Sequence, residues 1–107
     1  MTEINWQELV NDYKEDFLTD LFTLLKIDSV RDDEAATDEF PVGPGPVEAL
    51  EAFLEIGKRD GFETENFDNW AGHIEYGEGD ELMGVLGHVD VVPVGTGWET
   101  DPFEPVL

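Results

Sequence analysis

The sequence predicts an α/β fold, in which helices pack on a β-sheet. Two segments in the first 60 residues carry apolar side chains at a spacing of three and four, which is typical of amphipathic helices. Three short segments with strand character follow, and the last of them is a continuous apolar run. The chain has 107 residues, which is the size of one domain, and 40% of them are hydrophobic, which is enough to form a core.

The first predicted helix covers residues 5 to 27. Asn5, with Glu8 three positions later, forms a plausible N-terminal cap. Acidic residues populate one side of this segment, and the other side is apolar and rich in aromatic residues. Because the period alone explains such a stripe, we expect core packing rather than a ligand site. The stripe consists of Trp6, Leu9, Val10, Tyr13, Phe17, Leu18, Leu21, Phe22 and Leu25.

The second predicted helix covers residues 46 to 60 and follows an aperiodic loop at residues 28 to 45. The loop is longer than usual, so we expect it to be either functional or mobile. Pro46 suits a first helical position, and Gly61 ends the helix. The predicted buried face consists of Val47, Leu50, Phe53, Leu54 and Gly57.

Strands are predicted at residues 62–67, 71–76 and 82–86. Alternation in the second places Ile74 and His73 on opposite faces. Residues 77–80, Gly-Glu-Gly-Asp, form a hairpin-type connection. The run from Leu82 to Leu86 is typical of a strand buried on both faces.

The charge and the cysteine content of the chain exclude several kinds of partner and site. Twenty-seven acidic residues against five basic ones give a formal net charge of −22, which repels nucleic acid and anionic membrane surfaces. The absence of cysteine excludes disulfides and thiolate metal sites. The N-terminal residues lack the pattern of a secretory signal, so a cytoplasmic location is the default expectation.

His88 and Asp90 lie where the last predicted strand gives way to a loop containing Pro93, Gly95 and Gly97. Two residues apart in extended backbone, they project from the same face. The carboxylate can then hold one imidazole nitrogen and leave the other free for a metal. Spacing alone also fits a structural hydrogen bond, which is the more common role of such a pair. The other histidine, His73, is predicted to face solvent, and Trp98 and Phe103 to pack a loop against the core.

The longer string "MGVLGHVDVVPVGTGWETDPFEP" closely resembles the first metal-site motif of a family of two-zinc metallopeptidases. This family contains aminoacylase, carboxypeptidase G, acetylornithine deacetylase and succinyl-diaminopimelate desuccinylase. The upstream strings "EFPVGPGPVEALEAFLEIGKRDGF" and "NWAGHIEYGEGDELMGVLGHVD" resemble its peptidase V-type, carnosinase-like dipeptidases. The resemblance therefore extends over nearly the whole chain.

The resemblance implies a zinc-dependent dipeptidase with two zinc ions per active site. His88 would be a zinc ligand and Asp90 the catalytic-site aspartate that orients its imidazole. Residues 1–107 would be the N-terminal part of one catalytic domain, with helices packed on a mixed β-sheet. The family's other ligands and its glutamate base match nothing in this chain, so the chain alone is expected to be inactive.

Two alternatives stay open. One is an N-acyl-amino-acid deacylase of the same family, which would take an N-acyl amino acid instead of a dipeptide. The other is a non-catalytic acidic module in which His88 and Asp90 are only a structural pair. Oligomeric state is not predicted.

Overall fold

The computed structural model describes residues 3–107. Its elements, in chain order, are α1 (Trp6–Leu25), α2 (Pro44–Arg59), β1 (Glu63–Phe67) and β2 (Ala71–Glu75). The two strands form an antiparallel sheet, and both pack on α2, which confirms the α/β class. No helix in this range is long and apolar enough to cross a bilayer.

Helix α1 begins where the capping pattern predicts. Asn5 has extended backbone, and its side-chain oxygen accepts a hydrogen bond from the Glu8 amide at 3.1 Å. None of the α1 residues is buried, however. Core packing was predicted for the whole apolar stripe, but the structure leaves its first half exposed and half-buries only Leu18, Leu21 and Phe22 among its larger side chains. The residues left exposed are Trp6, Leu9, Val10, Tyr13 and Phe17, together with Leu25 at the end of the helix.

Helix α2 begins at Pro44, two residues earlier than predicted. Gly43 precedes it with a positive φ of 99°, and this glycine packs against the backbone of Asp32. Five α2 residues are buried: Pro46, Val47, Ala49, Leu54 and Gly57. Of the predicted face, Phe53 is instead 42% exposed. Ala49 is outside the predicted face because a small side chain contributes little to an apolar stripe.

Strands β1 and β2 form a hairpin, and the turn between them contains Asp68 and Asn69, both of which have positive φ. The hairpin-type connection predicted at residues 77–80 is wrong for a different reason, because residues 82–86, which it was expected to join to β2, form no strand. The Trp70 amide donates to the Phe67 carbonyl at 3.1 Å across the two turn residues, and two central residues with positive φ match the twist of antiparallel strands. Asn69 also donates a 2.7 Å hydrogen bond to the Glu39 carbonyl, which fixes the turn to the loop before α2.

One face of the hairpin packs on α2. The Ile74 side chain lies against Gly57, and Gly72 lies against Leu50 and Leu54. His73 is on the opposite face, as predicted, with a 47% exposed side chain. The absence of side-chain bulk at Gly57 and Gly72 is what lets helix and sheet approach closely.

The predicted buried strand at Leu82–Leu86 is wrong. This segment has no strand pairing among the described residues, and Leu82, Met83, Val85 and Leu86 are 87% to 100% exposed. A β-strand requires a neighbouring strand for its backbone hydrogen bonds. The hairpin does not pair with this segment, so its apolar composition alone does not make it a strand.

Candidate metal-ligand site

The candidate site is centred on His88 and Asp90, which are hydrogen bonded to each other. His88 Nδ1 lies 3.0 Å from Asp90 Oδ1 and 2.9 Å from the backbone oxygen of the same residue. The pair is open to solvent, with 82% of the His88 side chain and 54% of the Asp90 side chain exposed. The two-residue spacing thus brings the two side chains together, as the sequence suggested.

The hydrogen-bond partners define the protonation of the neutral imidazole. A carbonyl oxygen and an ionised carboxylate oxygen can only accept hydrogen bonds. Nδ1 therefore carries the proton and shares it between the two Asp90 oxygens. Nε2 is left with its lone pair, and it is the atom of this pair that can bind a cation.

The backbone around the pair is held by a segment far away in sequence. The Ser29 hydroxyl donates to the Val89 carbonyl at 2.9 Å, and the Val91 amide donates to the Ser29 carbonyl at 3.2 Å. Val30 and Val91 form an isolated parallel bridge next to these contacts. Ser29 is only 2% exposed. It is the one residue at the site that the sequence pattern did not predict. As the only serine of the chain, it has no surrounding motif to mark it.

The loop after the pair is shaped by its own short-range bonds. Gly95 and Gly97 have positive φ values of 67° and 91°. The Trp98 indole nitrogen donates to the Val94 carbonyl at 2.7 Å, but 56% of this residue is exposed. The prediction that Trp98 packs against the core is therefore wrong, because its bond is made within the loop. Phe103 is half-buried.

The described residues do not assemble a complete metal site. Within residues 3–107, no three histidine, aspartate or glutamate side chains are grouped so that they could hold one ion. The other histidine, His73, faces Glu65 across the hairpin, with 3.8 Å between Nε2 and Oε2. His88 and Asp90 thus provide one nitrogen donor, Nε2, on an imidazole whose other nitrogen is hydrogen bonded to a carboxylate.

A surface groove of about 620 Å³ lies elsewhere, between α1 and the end of α2. Within its lining, Arg59 makes two parallel hydrogen bonds to Asp20, of 2.9 and 3.0 Å. Hydrogen bonding to Arg59 lowers the pKa of the Asp20 carboxyl, and Asp20 and Asp60 raise the pKa of Arg59. The groove is lined by Tyr13, Asp16, Phe17, Thr19, Asp20, Arg59 and Asp60, so it does not include the His88 pair.

Comparison with known proteins finds relatives that carry dipeptidase names. A protein of Staphylococcus haemolyticus with a provisional dipeptidase name is 56% identical over 102 residues. The Beta-Ala-Xaa dipeptidase of Lactobacillus delbrueckii subsp. lactis is 52% identical over 102 residues. Both matches cover 95% of this chain and 22% of the relative, so the chain spans less than a quarter of the length of these curated relatives. No protein-family model matches the chain.

Proposed function

We propose that this chain forms the part of a zinc-dependent dipeptidase that carries His88 as a zinc ligand. The observation behind the proposal is the His88–Asp90 pair, in which Nδ1 is held at 3.0 Å from a carboxylate oxygen and Nε2 is free. The relatives support the reaction class, because two of them carry dipeptidase names at 56% and 52% identity. The short peptide would be the substrate and water the second reactant.

The donor chemistry of the pair fits zinc. Imidazole nitrogen is a preferred zinc ligand, and a carboxylate bonded to the other ring nitrogen is the usual support for it. A catalytic zinc needs about three protein ligands, and residues 3–107 bring together no such set. The proposal therefore requires that the remaining ligands come from a longer protein, as the greater length of the relatives suggests.

Each residue of the pair has a defined task. His88 keeps its proton at Nδ1, and this fixes the tautomer in which Nε2 can donate its lone pair. The negative charge of Asp90 makes the imidazole a stronger donor and holds the ring in one orientation. A bound zinc polarises a carbonyl and lowers the pKa of a bound water. The 82% exposure of the His88 side chain leaves room around Nε2 for other ligands.

A chimera tests the proposal. The aligned part of the L. delbrueckii Beta-Ala-Xaa dipeptidase is replaced with this chain, and hydrolysis of β-Ala-Xaa peptides and zinc content are measured. We expect an active, zinc-loaded chimera. His88→Ala should abolish activity and reduce bound zinc, because it removes a metal ligand. Asp90→Asn should lower metal affinity or activity roughly 10- to 100-fold, with partial rescue by excess zinc.

His73→Ala is the matched control, since it deletes the chain's other histidine without touching the pair. It should leave activity and zinc content unchanged. An active chimera in which His88→Ala retains full activity and zinc would contradict the proposal. Faster turnover of N-acyl amino acids than of dipeptides would instead favour the deacylase alternative. The isolated 107-residue chain, assayed with zinc and dipeptides, should show no turnover.

A further inference from the structure

Ser29 makes two bonds to the site segment, one from its side chain and one through its backbone. Its hydroxyl donates to the Val89 carbonyl, and its own carbonyl accepts from the Val91 amide. Sixty positions separate Ser29 from Val89 in the chain. The serine is 2% exposed, so its hydroxyl has little access to water as an alternative partner.

These two bonds hold both peptide groups that flank Asp90. The Val89 carbonyl belongs to the peptide group before Asp90, and the Val91 amide belongs to the one after it. Because each peptide group is planar and both are anchored, the backbone φ and ψ of Asp90 are restricted. The backbone oxygen and the carboxylate of Asp90 are the two acceptors for His88 Nδ1. The orientation of the imidazole therefore depends on Ser29.

Ser29 in turn is placed by the start of α2. A side-chain carbon at Gly45 would overlap the carbonyl oxygen of Asp28, so the helix lies directly against the backbone next to the serine. The Ser29 amide donates to the Ile27 carbonyl at 2.9 Å, which tightens the turn at this point. Ser29 thus connects the start of α2 with the exposed pair, next to the Val30–Val91 bridge.

We infer that Ser29 is a positioning residue for the His88–Asp90 pair. Its hydroxyl and carbonyl set the backbone of Asp90, and Asp90 then sets the tautomer and direction of the imidazole. The role toward zinc rests on the proposed function. The effect on the backbone and on the imidazole does not, and it can be measured without metal.

The first test uses the metal-free 107-residue chain and NMR. Ser29→Ala removes the hydroxyl bond to the Val89 carbonyl and keeps the backbone bond from the Val91 amide. Because the segment around Asp90 is then held less firmly, hydrogen exchange of the Val91 amide should become faster, by up to about tenfold, the scale of one lost hydrogen bond. The variant should also shift the ring ¹⁵N signals of His88 away from the pattern of a fixed Nδ1–H tautomer. Thr37→Ala is the matched control. It removes a hydroxyl that accepts from the Phe40 amide at 3.0 Å in the same loop, and it should change neither signal.

Ser29→Cys keeps nearly the same side-chain volume but replaces the hydroxyl with a thiol, which is a weaker hydrogen-bond donor. It serves as a second variant if Ser29→Ala does not fold. We expect its exchange rate to lie between those of the wild type and the alanine variant. If a folded Ser29→Ala or Ser29→Cys chain keeps wild-type Val91 exchange and wild-type His88 signals, the inference is overturned.

The second test uses the dipeptidase chimera. Ser29→Ala should weaken zinc retention against a chelator, while Thr37→Ala should not, and Ser29→Cys should restore part of the loss. Wild-type zinc retention in the Ser29→Ala chimera, despite altered Val91 and His88 signals, would overturn the role toward zinc. An inactive, zinc-free chimera would count against the proposed function but leave the metal-free NMR result standing.

Discussion

Helices α1 and α2 have the same kind of amphipathic sequence but different surroundings. The 16-residue α2 contains five buried residues, while the 20-residue α1 contains none. The hairpin packs on α2, and among the described helices and strands only α2 contacts α1. The periodic spacing therefore identifies which face of a helix is apolar, but another element must be present to bury that face.

The largest expected difference between the helices comes from matched leucine truncations. Leu54 in α2 is 9% exposed, and Leu9 in α1 is 41% exposed. Leu54→Ala should lower the free energy of unfolding by about 3 kcal/mol, because it removes buried apolar surface and leaves a cavity. Leu9→Ala should cost less than about 0.5 kcal/mol. Urea unfolding followed by circular dichroism measures both, and equal losses would show that α1 is as well covered as α2.

A smaller effect is expected where α2 meets the sheet. A side-chain carbon at Gly57 would come within 2.6 Å of the Ile74 Cδ1 atom. Overpacking typically costs about 1 to 3 kcal/mol of stability. The higher helix propensity of alanine offsets up to about 1 kcal/mol of this cost. Gly57→Ala should thus destabilise the chain by up to about 2 kcal/mol. Gly84→Ala, at a position with nothing within 4 Å, is the control and should be neutral in the same urea titration.

The next largest loss of stability is expected when the N-terminal cap of α1 is removed, because this helix gains little stability from packing. Asn5→Ala removes the 3.1 Å bond from the Glu8 amide and should cost about 1 kcal/mol. The loss should be seen as fraying of the first turn in amide exchange and as a small decrease in helical circular dichroism. Gln7→Ala, which removes only an exposed side-chain bond to Asn11, should have almost no effect. An undisturbed first turn in Asn5→Ala would mean that packing, and not the cap, holds this end of α1.

The smallest effect is expected at the ion pair that joins the two helices. Arg59 lowers the pKa of Asp20 below its ordinary value of 3.8. The stabilisation from this carboxylate is therefore complete above that value and is lost as the pH falls through the lower, folded-state pKa. Wild type and Asp20→Asn should differ in urea midpoint at pH 6 and converge near pH 2. A difference that stays constant over this range would show that the charge of Asp20 does not contribute. Asp33→Asn, at an exposed pair with Arg31, provides the comparison.

The sequence allowed the local features of the fold to be predicted, but not the pairing between distant segments. The Asn5 cap, the two helices and the strands at residues 62–67 and 71–76 each depend on residues a few positions apart, and all are present within two residues of the predicted bounds. The predicted strand at Leu82–Leu86 is wrong, because an apolar run does not by itself specify a strand. Burial and strand pairing both require partners that the run itself does not specify.

In the candidate site, too, the short-range contact was predictable from the sequence and the long-range contacts were not. The bond between His88 and Asp90 joins residues two positions apart, so their spacing was sufficient to predict it. The sequence by itself thus determined the hydrogen-bonded pair of His88 and Asp90, the helical periods and the cap of α1, because these follow from short-range geometry. Only the tertiary structure decided that Ser29 holds the backbone on both sides of Asp90 and that α2, not α1, is buried. Contacts of this kind depend on how distant segments pack together, and no local pattern in the chain encodes them.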